Sequence, residues 1–581
     1  MRVPFFILTS FVIAVLLGIG SYIIFMNNKT DKSKKPHIVF IVADDMGWND
    51  VSFHGSNQIP TLNIDALAYH GVILNRYYAL PTCTPSRTSL LTSRYAIRDG
   101  MQGWPIAPGE PRGVPLNLTL MPEYFRNLGY STHLVGKWHL GYVTKDYLPT
   151  SRGFDTFFGY YNGLITYFGH WVKTARNVVE SVTGYDLHRE DSEGERVPSE
   201  ENKYFTDLIT DEAETIIKRN GNDKPLFLQI SHLAVHASEA EDPLEVRNST
   251  EVNTTFSYIT DTNRRKYAGM MKAMDESVGR VMTALSKENM LDNSIIVFIS
   301  DNGAPTIDFY ENSGSNYPLR GIKNTLFEGG VRVAACIFSP LIEAWGRVTN
   351  ERMHIVDWLP TLYAAAGGNV SDLKTPVDGQ NLWTMIAKGT ESRRKSILLN
   401  IDPNSNGEAA IIGRHKLIKD TKEVGKGYYG DAGNDITYPV YNAGEALRSP
   451  AGLAIKKLSS FAGLNPEKAQ VLRERATVRC SRPRTQLDCS TLCLFDIEDD
   501  PCETTDLSPR QPEIVKQLEE FIDEYKKVMS PQMNAEIDPC SDPKFFNGVC
   551  MPWRVNFTVP PLIVASGKCQ HPANESVLLQ V

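Results

Sequence analysis

Three stretches of the chain are almost continuously apolar and stop abruptly at polar residues. They are residues 37–43 (HIVFIVA), followed by Asp44 and Asp45; residues 225–231 (PLFLQIS), followed by His232; and residues 294–300 (SIIVFIS), followed by Asp301, Asn302 and Gly303. Such runs, rich in β-branched residues, predict strands buried on both faces, as in a parallel sheet. Between them the apolar period changes to three and four. Phe205, Leu208, Ile209, Ile216 and Ile217 form one such set, and Met271, Met274, Val278, Met282 and Leu285 another, each predicting an amphipathic helix. The alternation predicts an α/β domain over residues 37–395, a mostly parallel sheet flanked by helices. Ligands of such sheets bind beyond the carboxyl ends of the strands, where Asp44, Asp45, Asp301 and Asn302 fall. After Gly389 the pattern breaks into shorter strand-like runs and polar, Gly-rich stretches, which predicts a smaller α+β domain over 396–510. One such stretch, GKGYYGDAGND at 425–435, lacks the Lys-Ser/Thr of a phosphate-binding loop and reads as an ordinary loop. Residues 511–528 predict an amphipathic helix opening a Cys-containing tail, 511–581, that carries no readable chemistry.

The first 36 residues are different in kind. No charge occurs from Pro4 to Met26, Arg2 precedes that run, and Lys29, Lys32, Lys34 and Lys35 follow it as a basic linker. The segment fits both a signal peptide and a retained signal anchor, since it is long enough to span a bilayer. The lysines that follow favour cleavage, because charge bias would keep them in the cytosol. Seven Asn-x-Ser/Thr sequons, at Asn28, Asn117, Asn248, Asn253, Asn369, Asn556 and Asn574, agree with export into a glycosylating lumen. Cysteine usage points the same way. Cys480, Cys489, Cys493, Cys502, Cys540, Cys550 and Cys569 crowd the end of the chain, which predicts disulfides with one thiol left over, while Cys83 and Cys336 stand apart. With 68 acidic against 60 basic residues and a formal charge of −8, the whole-chain field offers nothing to nucleic acid, so cationic contacts to an anionic substrate must be local.

The chemistry concentrates at Pro81-Thr82-Cys83-Thr84-Pro85-Ser86-Arg87. Pro85 suits the first turn of a helix, which places Cys83 at a helix mouth whose free N–H groups favour an anion. Alone, Cys83 would read as a small core thiol, and Asp44-Asp45 as a helix cap or turn. Cys-Thr-Pro-Ser-Arg, however, resembles the signature of the type I sulfatases, in which this Cys is oxidised in the endoplasmic reticulum to formylglycine by a formylglycine-generating enzyme. The family's second signature stands at Gly136-Lys137-Trp138-His139-Leu140-Gly141.

The resemblance implies an alkaline-phosphatase-like fold and hydrolysis of sulfate esters. Cys83 becomes the nucleophile, as an aldehyde hydrate held by Arg87. Asp44, Asp45, Asp301 and Asn302, with the oxygen at position 83, match the ligands of one Ca²⁺ per chain, and hard oxygen donors suit that ion. Apart from the metal, little else can neutralise the three converging carboxylates. Lys137 and Lys323 match lysines that grip the sulfate, His139 the base that regenerates the aldehyde, and His236 the acid that protonates the leaving alcohol. Counting from Pro225 places His236, not His232, on the family position, leaving His232 a structural role. A second hydroxyl on the hydrate supplies the route for expelling sulfate that a serine lacks.

Longer segments, among them ADDMGWNDVSFHG, NYPLRGIKNTLFEGGVR and NIDP, resemble the N-acetylgalactosamine-4-sulfatase (arylsulfatase B) branch from His37 to Leu507. This implies N-acetylgalactosamine 4-sulfate of glycosaminoglycans as substrate and a lysosomal, secreted or membrane-anchored enzyme. Ser238 stands where the family commonly has proline, and the cysteine pattern and the region after 510 also depart. Trp104, His170, Trp171, Asn316 and Arg320 are candidates for the pocket wall. Two other readings use the same residues: a phosphate or phosphonate ester hydrolase, and an inactive glycan-binding relative.

Overall fold

The run His37–Ala43 becomes the central strand of the largest sheet, with all seven residues buried. The computed structural model describes residues 34–554 except 176–180, 308–311, 375, 421–424, 462 and 481–486. The apolar N-terminal run, Asn28, Asn556, Asn574 and Cys569 therefore lie outside the described residues. Among the described residues no helix is long and apolar enough to cross a membrane. The four described sequon asparagines, Asn117, Asn248, Asn253 and Asn369, are all exposed.

In chain order the first twelve strands are β1 (His37–Ala43), β2 (Val72–Tyr78), β3 (Ser131–Lys137), β4 (Thr156–Tyr160), β5 (Trp171–Ala175), β6 (Ser181–Tyr185), β7 (His188–Asp191), β8 (Gly194–Arg196), β9 (Leu226–Ser231), β10 (Ser294–Ser300), β11 (Ala335–Phe338) and β12 (Arg347–His354). All but the β5–β6 hairpin join one sheet of ten strands in the order β12-β2-β11-β10-β1-β9-β3-β4-β7-β8. Its centre, β10-β1-β9-β3-β4, is parallel throughout, and the antiparallel pairings involve β11 or the β7–β8 edge. The three apolar runs read from the sequence are thus neighbours, β10-β1-β9, and their polar endings share one edge of the sheet. Helices Phe205–Asn220 and Thr262–Lys287 pack on each other, and every apolar position predicted for them is buried.

A second sheet, antiparallel, is built from β13 (Ser396–Asp402), β14 (Gly407–Ile412), β15 (His415–Lys419) and β16 (Cys493–Asp496). The predicted amphipathic helix, Pro512–Lys526, covers it and buries Leu518 and Ile522. The Gly-rich stretch is a loop, clasped by Asn49 and Ser315 through the carbonyls of Asp431 and Ala432. Lys416 of β15 ties this sheet to the segment leading into β11 by pairing with Glu328 at 3.0 Å, and it also pairs with Glu503 at 2.8 Å, all fully buried. Removing one partner of such a cluster costs about 3–5 kcal/mol, because the others are left charged without water. Disulfides join Cys480 to Cys502 and Cys489 to Cys493, Cys540 is also disulfide-bonded, and Cys550 is the thiol left over from the C-terminal group.

The tail is structurally informative where the sequence was not. Its backbone runs along residues 97–109, donating from Ser530 to Ile97, Met533 to Gly100 and Asp538 to Gly109.

At the β7 edge, His188 is buried between Asp186 at 3.1 Å and Glu195 at 3.4 Å. Burial alone would strip its proton, but the two carboxylates outweigh burial and raise the imidazole to about 9. A folded-state value above the unfolded ~6.5 means that the pair stabilises fully below about pH 6.5 and is lost as pH rises through about 9, at most roughly 3 kcal/mol. The thermal midpoint should therefore fall by about 2–3 °C between pH 6 and 9, and H188Q should flatten that slope. An equal slope in H188Q would show that His188 is neutral when folded.

Candidate active site

Each signature residue has a local reason for its place. Cys83 opens helix Cys83–Thr92, and the Ser86 hydroxyl closes the entry by accepting from Leu80 N–H at 3.0 Å and donating to Leu80 O at 3.2 Å. Thr84 donates to His139 O at 3.3 Å and accepts from Ile106 N–H at 3.1 Å, joining the helix mouth to the second signature. Arg87, one turn further on, reaches Asp301 at 2.9 Å. In the second signature, Gly136 has φ +99°, and a Cβ there would lie 1.9 Å from Ser231 O on the neighbouring strand. Only glycine lets β3 run so close to β9 and deliver Lys137 and His139.

The strand ends converge as predicted. Asp44 and Asp45 follow β1, Asp301 and Asn302 follow β10, and their carboxylates lie within 4.8 Å of one another, all buried. Asp45 (φ 59°) and His139 (φ 57°) take left-handed backbone conformations, which cost about 1–3 kcal/mol each and cluster at functional sites. The carboxylates are not short of counter-charge, contrary to the sequence reading. Lys137 Nζ donates to Asp44 at 2.7 Å and Lys323 Nζ to Asp45 at 2.7 Å, while Arg87 holds Asp301. The cations come from three separate segments, so no local stretch of sequence reveals the pairing. Burial would raise the Asp45 carboxyl, but Lys323, His236 and Lys137 outweigh burial and hold it below its ordinary range.

Three carboxylates against three cations leave no formal net charge, so a divalent ion would make the cluster strongly cationic, the sign that a sulfate ester needs. The residues fit such an ion. Asp44 Oδ1 and Asn302 Oδ1 are buried oxygens with no hydrogen-bond partner among the described residues. The Asn302 amide is oriented by donating to Asp45 Oδ1 at 2.7 Å, which leaves its oxygen free to ligate.

Beside this cluster lies a cavity of about 260 Å³. Cys83, His139, His236 and Lys323 reach it, with Trp104, Leu164, Val172, Glu239 and Asn324 among its other walls. Arg87 and Lys137 do not line it; they are buried against the carboxylates. His139 Nε2 lies 2.9 Å from Ile106 O, which requires a proton on Nε2 and leaves Nδ1, unpartnered among the described residues, as the basic nitrogen. Burial, then Lys137, keep this imidazole neutral, well below its ordinary value. Its ring packs on Gly163, where a Cβ would fall 2.8 Å from Cε1. His236 Nε2 lies 3.3 Å from Asp45, and burial lowers its value also. His232 is buried, its backbone donating to Val42 O at 2.9 Å, the structural placement expected of it.

Of the pocket-wall candidates only Trp104 lines the cavity. Arg320 instead ties its loop to the C-terminal part of the chain through the carbonyls of Lys426, Leu487 and Glu503, and Asn316 braces a loop through Ala304. His170 is buried outside the cavity, and Trp171 lies on β5 beside it without forming its wall. Beyond Trp104, the wall is built largely by residues 105–108 and by Gly163, Leu164 and Val172, apolar positions with no sequence signal of their own. The tail backs this wall, with Asn534 donating to Trp104 O at 3.4 Å and Ala535 N–H to Glu110 at 2.8 Å.

Comparison with known proteins gives the family. The family model described as Sulfatase matches residues 36–368. Mouse arylsulfatase J is 36% identical over 529 residues, covering 90% of this chain and 81% of its own. Human N-acetylgalactosamine-6-sulfatase is 31% identical over 392 residues, covering 66% and 71% respectively. Among solved structures, the crystal structure of Ps i-CgsB is 25% identical, covers 86% of this chain and 94% of its own, and superposes with a TM-score of 0.65. Sharing their fold, and carrying both signatures at one edge of the sheet, the chain belongs to the sulfatase family and is a sulfuric ester hydrolase.

Proposed function

We propose that the protein removes sulfate from a terminal sulfated hexosamine, N-acetylgalactosamine 4-sulfate in particular, in the lumen of the secretory pathway or lysosome. The carrying observation is the cavity itself. At about 260 Å³ it lies just below the roughly 300–1,000 Å³ typical of ligand sites, which fits one sugar rather than a threaded polymer. Trp104, 51% exposed, offers an aromatic face at its mouth against which a sugar can stack.

Asp44, Asp45, Asp301 and Asn302, with an oxygen at residue 83, would hold the metal, Ca²⁺ by their all-oxygen chemistry. A bound divalent ion would add positive charge where the ester carries negative charge. Formylglycine at residue 83 would supply a geminal pair of hydroxyls, one to attack sulfur and one to release it. The chain's own groups do the rest. Lys323, at the cavity wall, neutralises the sulfate oxygens, and Lys137 and Arg87 support it from behind through Asp44 and Asp301. His236 gives a proton to the departing sugar oxygen, while the free Nδ1 of His139 takes one from the hydrate.

The 31% identity to N-acetylgalactosamine-6-sulfatase supports a second reading, the 6-sulfate of the same sugar. Oligosaccharides with a terminal 4-sulfated, 6-sulfated or N-sulfated sugar, offered in parallel, decide the matter. The 4-sulfate should be cleaved at least tenfold faster by kcat/KM. Preference for either other ester would reject the assignment while leaving the sulfatase chemistry in place.

A further inference from the structure

The cavity has one charged group that the chemistry above does not use. Glu239, three residues beyond His236, lines it together with Cys83 and Lys323 and is the single carboxylate on its wall among the described residues. Its Oε2 accepts from Lys173 N–H at 2.6 Å, which pins the side chain to the β5–β6 hairpin at the side of the cavity. The Lys173 ammonium is turned to Glu239 O at 3.0 Å and lies 5.5 Å from the centre of the Trp171 ring. The carboxylate is thus only partly compensated. Burial raises it above its ordinary value against the pull of Lys173. The carboxylates of Asp44, Asp45 and Asp301, by contrast, each have a cation in direct contact. The cavity is therefore bipolar, cationic at its floor and anionic at its side.

We infer that Glu239 determines substrate selectivity: it accepts a hydrogen bond from a neutral hydroxyl or amide of the group that carries the ester, and it repels a second anion there. A sulfate enters toward Lys323, and whatever the ester oxygen is attached to must then pass Glu239. A hydroxyl or acetamido N–H at that point gains a charge-assisted hydrogen bond. A carboxylate or second sulfate meets a like charge in a partly desolvated space, where repulsion is stronger than in water. On this view the protein acts on singly charged sulfated ends, and a doubly sulfated end must lose its other group first.

This inference rests on the sulfatase reading but not on which sugar is cleaved, so the probes are simple aryl sulfates. One carries a neutral hydroxymethyl group on the ring and the other a carboxylate at the same position. Wild type should prefer the neutral ester by about fivefold or more in kcat/KM, with the preference shrinking as salt is raised. In E239Q, whose amide oxygen can still accept from Lys173 N–H, the preference should fall to within about twofold and lose its salt dependence. E239D, which keeps the charge, should retain most of it. An unchanged preference in E239Q, or none in wild type, overturns the role of Glu239. Failure of wild type to cleave any sulfate ester overturns the sulfatase reading and this inference with it.

Discussion

C83A should fold and be secreted like wild type yet lose turnover of every sulfate ester, by roughly 10⁴-fold or more. Residue 83 stands at the helix mouth with only 2% of its surface exposed, inside the same cavity as His139, His236 and Lys323. Its thiol is buried and in no disulfide. The entry to the helix is closed by Ser86 and Thr84, which the variant keeps. An unmodified thiol there is also a poor nucleophile, since burial raises its value above the ordinary one despite Lys137 and Lys323. Mass spectrometry of the peptide containing residue 83 should find an aldehyde in the secreted wild type. A fully active protein whose residue 83 is an unmodified thiol would falsify the nucleophile assignment. C83S separates two steps, because a serine has one hydroxyl: it should accept sulfate at most once and remain sulfated at residue 83. Multiple turnovers by C83S would show that the second hydroxyl is not needed.

The parts of this site that were legible in the sequence are those where chemistry and local backbone coincide. The runs that became β1, β9 and β10 are buried on both faces, so they are almost wholly hydrophobic and their ends are sharp. Strand β3, STHLVGK, carries no such signal, because its buried surface includes a threonine, a histidine and a lysine that only the assembled sheet satisfies. The antiparallel β11 is four residues long and gives no periodic signal. The signatures marked Cys83, Lys137 and His139, but nothing local marks Ile106, whose carbonyl fixes the His139 tautomer, or Asn534, which backs the wall from more than 400 residues away. Specificity here is written in tertiary contacts made by unremarkable residues. Catalysis is written in motifs because several reacting groups must leave one short segment at fixed angles.

The proposed metal ligands should prove inseparable from activity and distinguishable from mere charge pairing. Each of Asp44, Asp45 and Asp301 already has a cationic partner, so the cluster can remain intact without an ion, and loss of metal need not unfold the chain. D45N keeps an oxygen for Asn302 Nδ2 but removes the charge that holds Lys323, and D301N does the same to Arg87. Each should abolish stoichiometric Ca²⁺, measured by elemental analysis of the purified protein, and lower kcat/KM by about 10³-fold or more. The stability readout separates the causes. In wild type, Ca²⁺ at 100 times its dissociation constant should add about 2.7 kcal/mol, whereas the variants' thermal midpoints should not respond to it. K137M, which strips Asp44 of its partner at 2.7 Å without touching a ligand, should keep the metal and still lose activity, because the carboxylate is then less neutralised behind the incoming sulfate. Retention of full Ca²⁺ by D45N or D301N would place the ion elsewhere and leave the three ion pairs as the whole purpose of the cluster. Loss of Ca²⁺ with activity preserved would reduce the ion to a structural clamp, with Lys323, Lys137 and Arg87 alone providing the positive field.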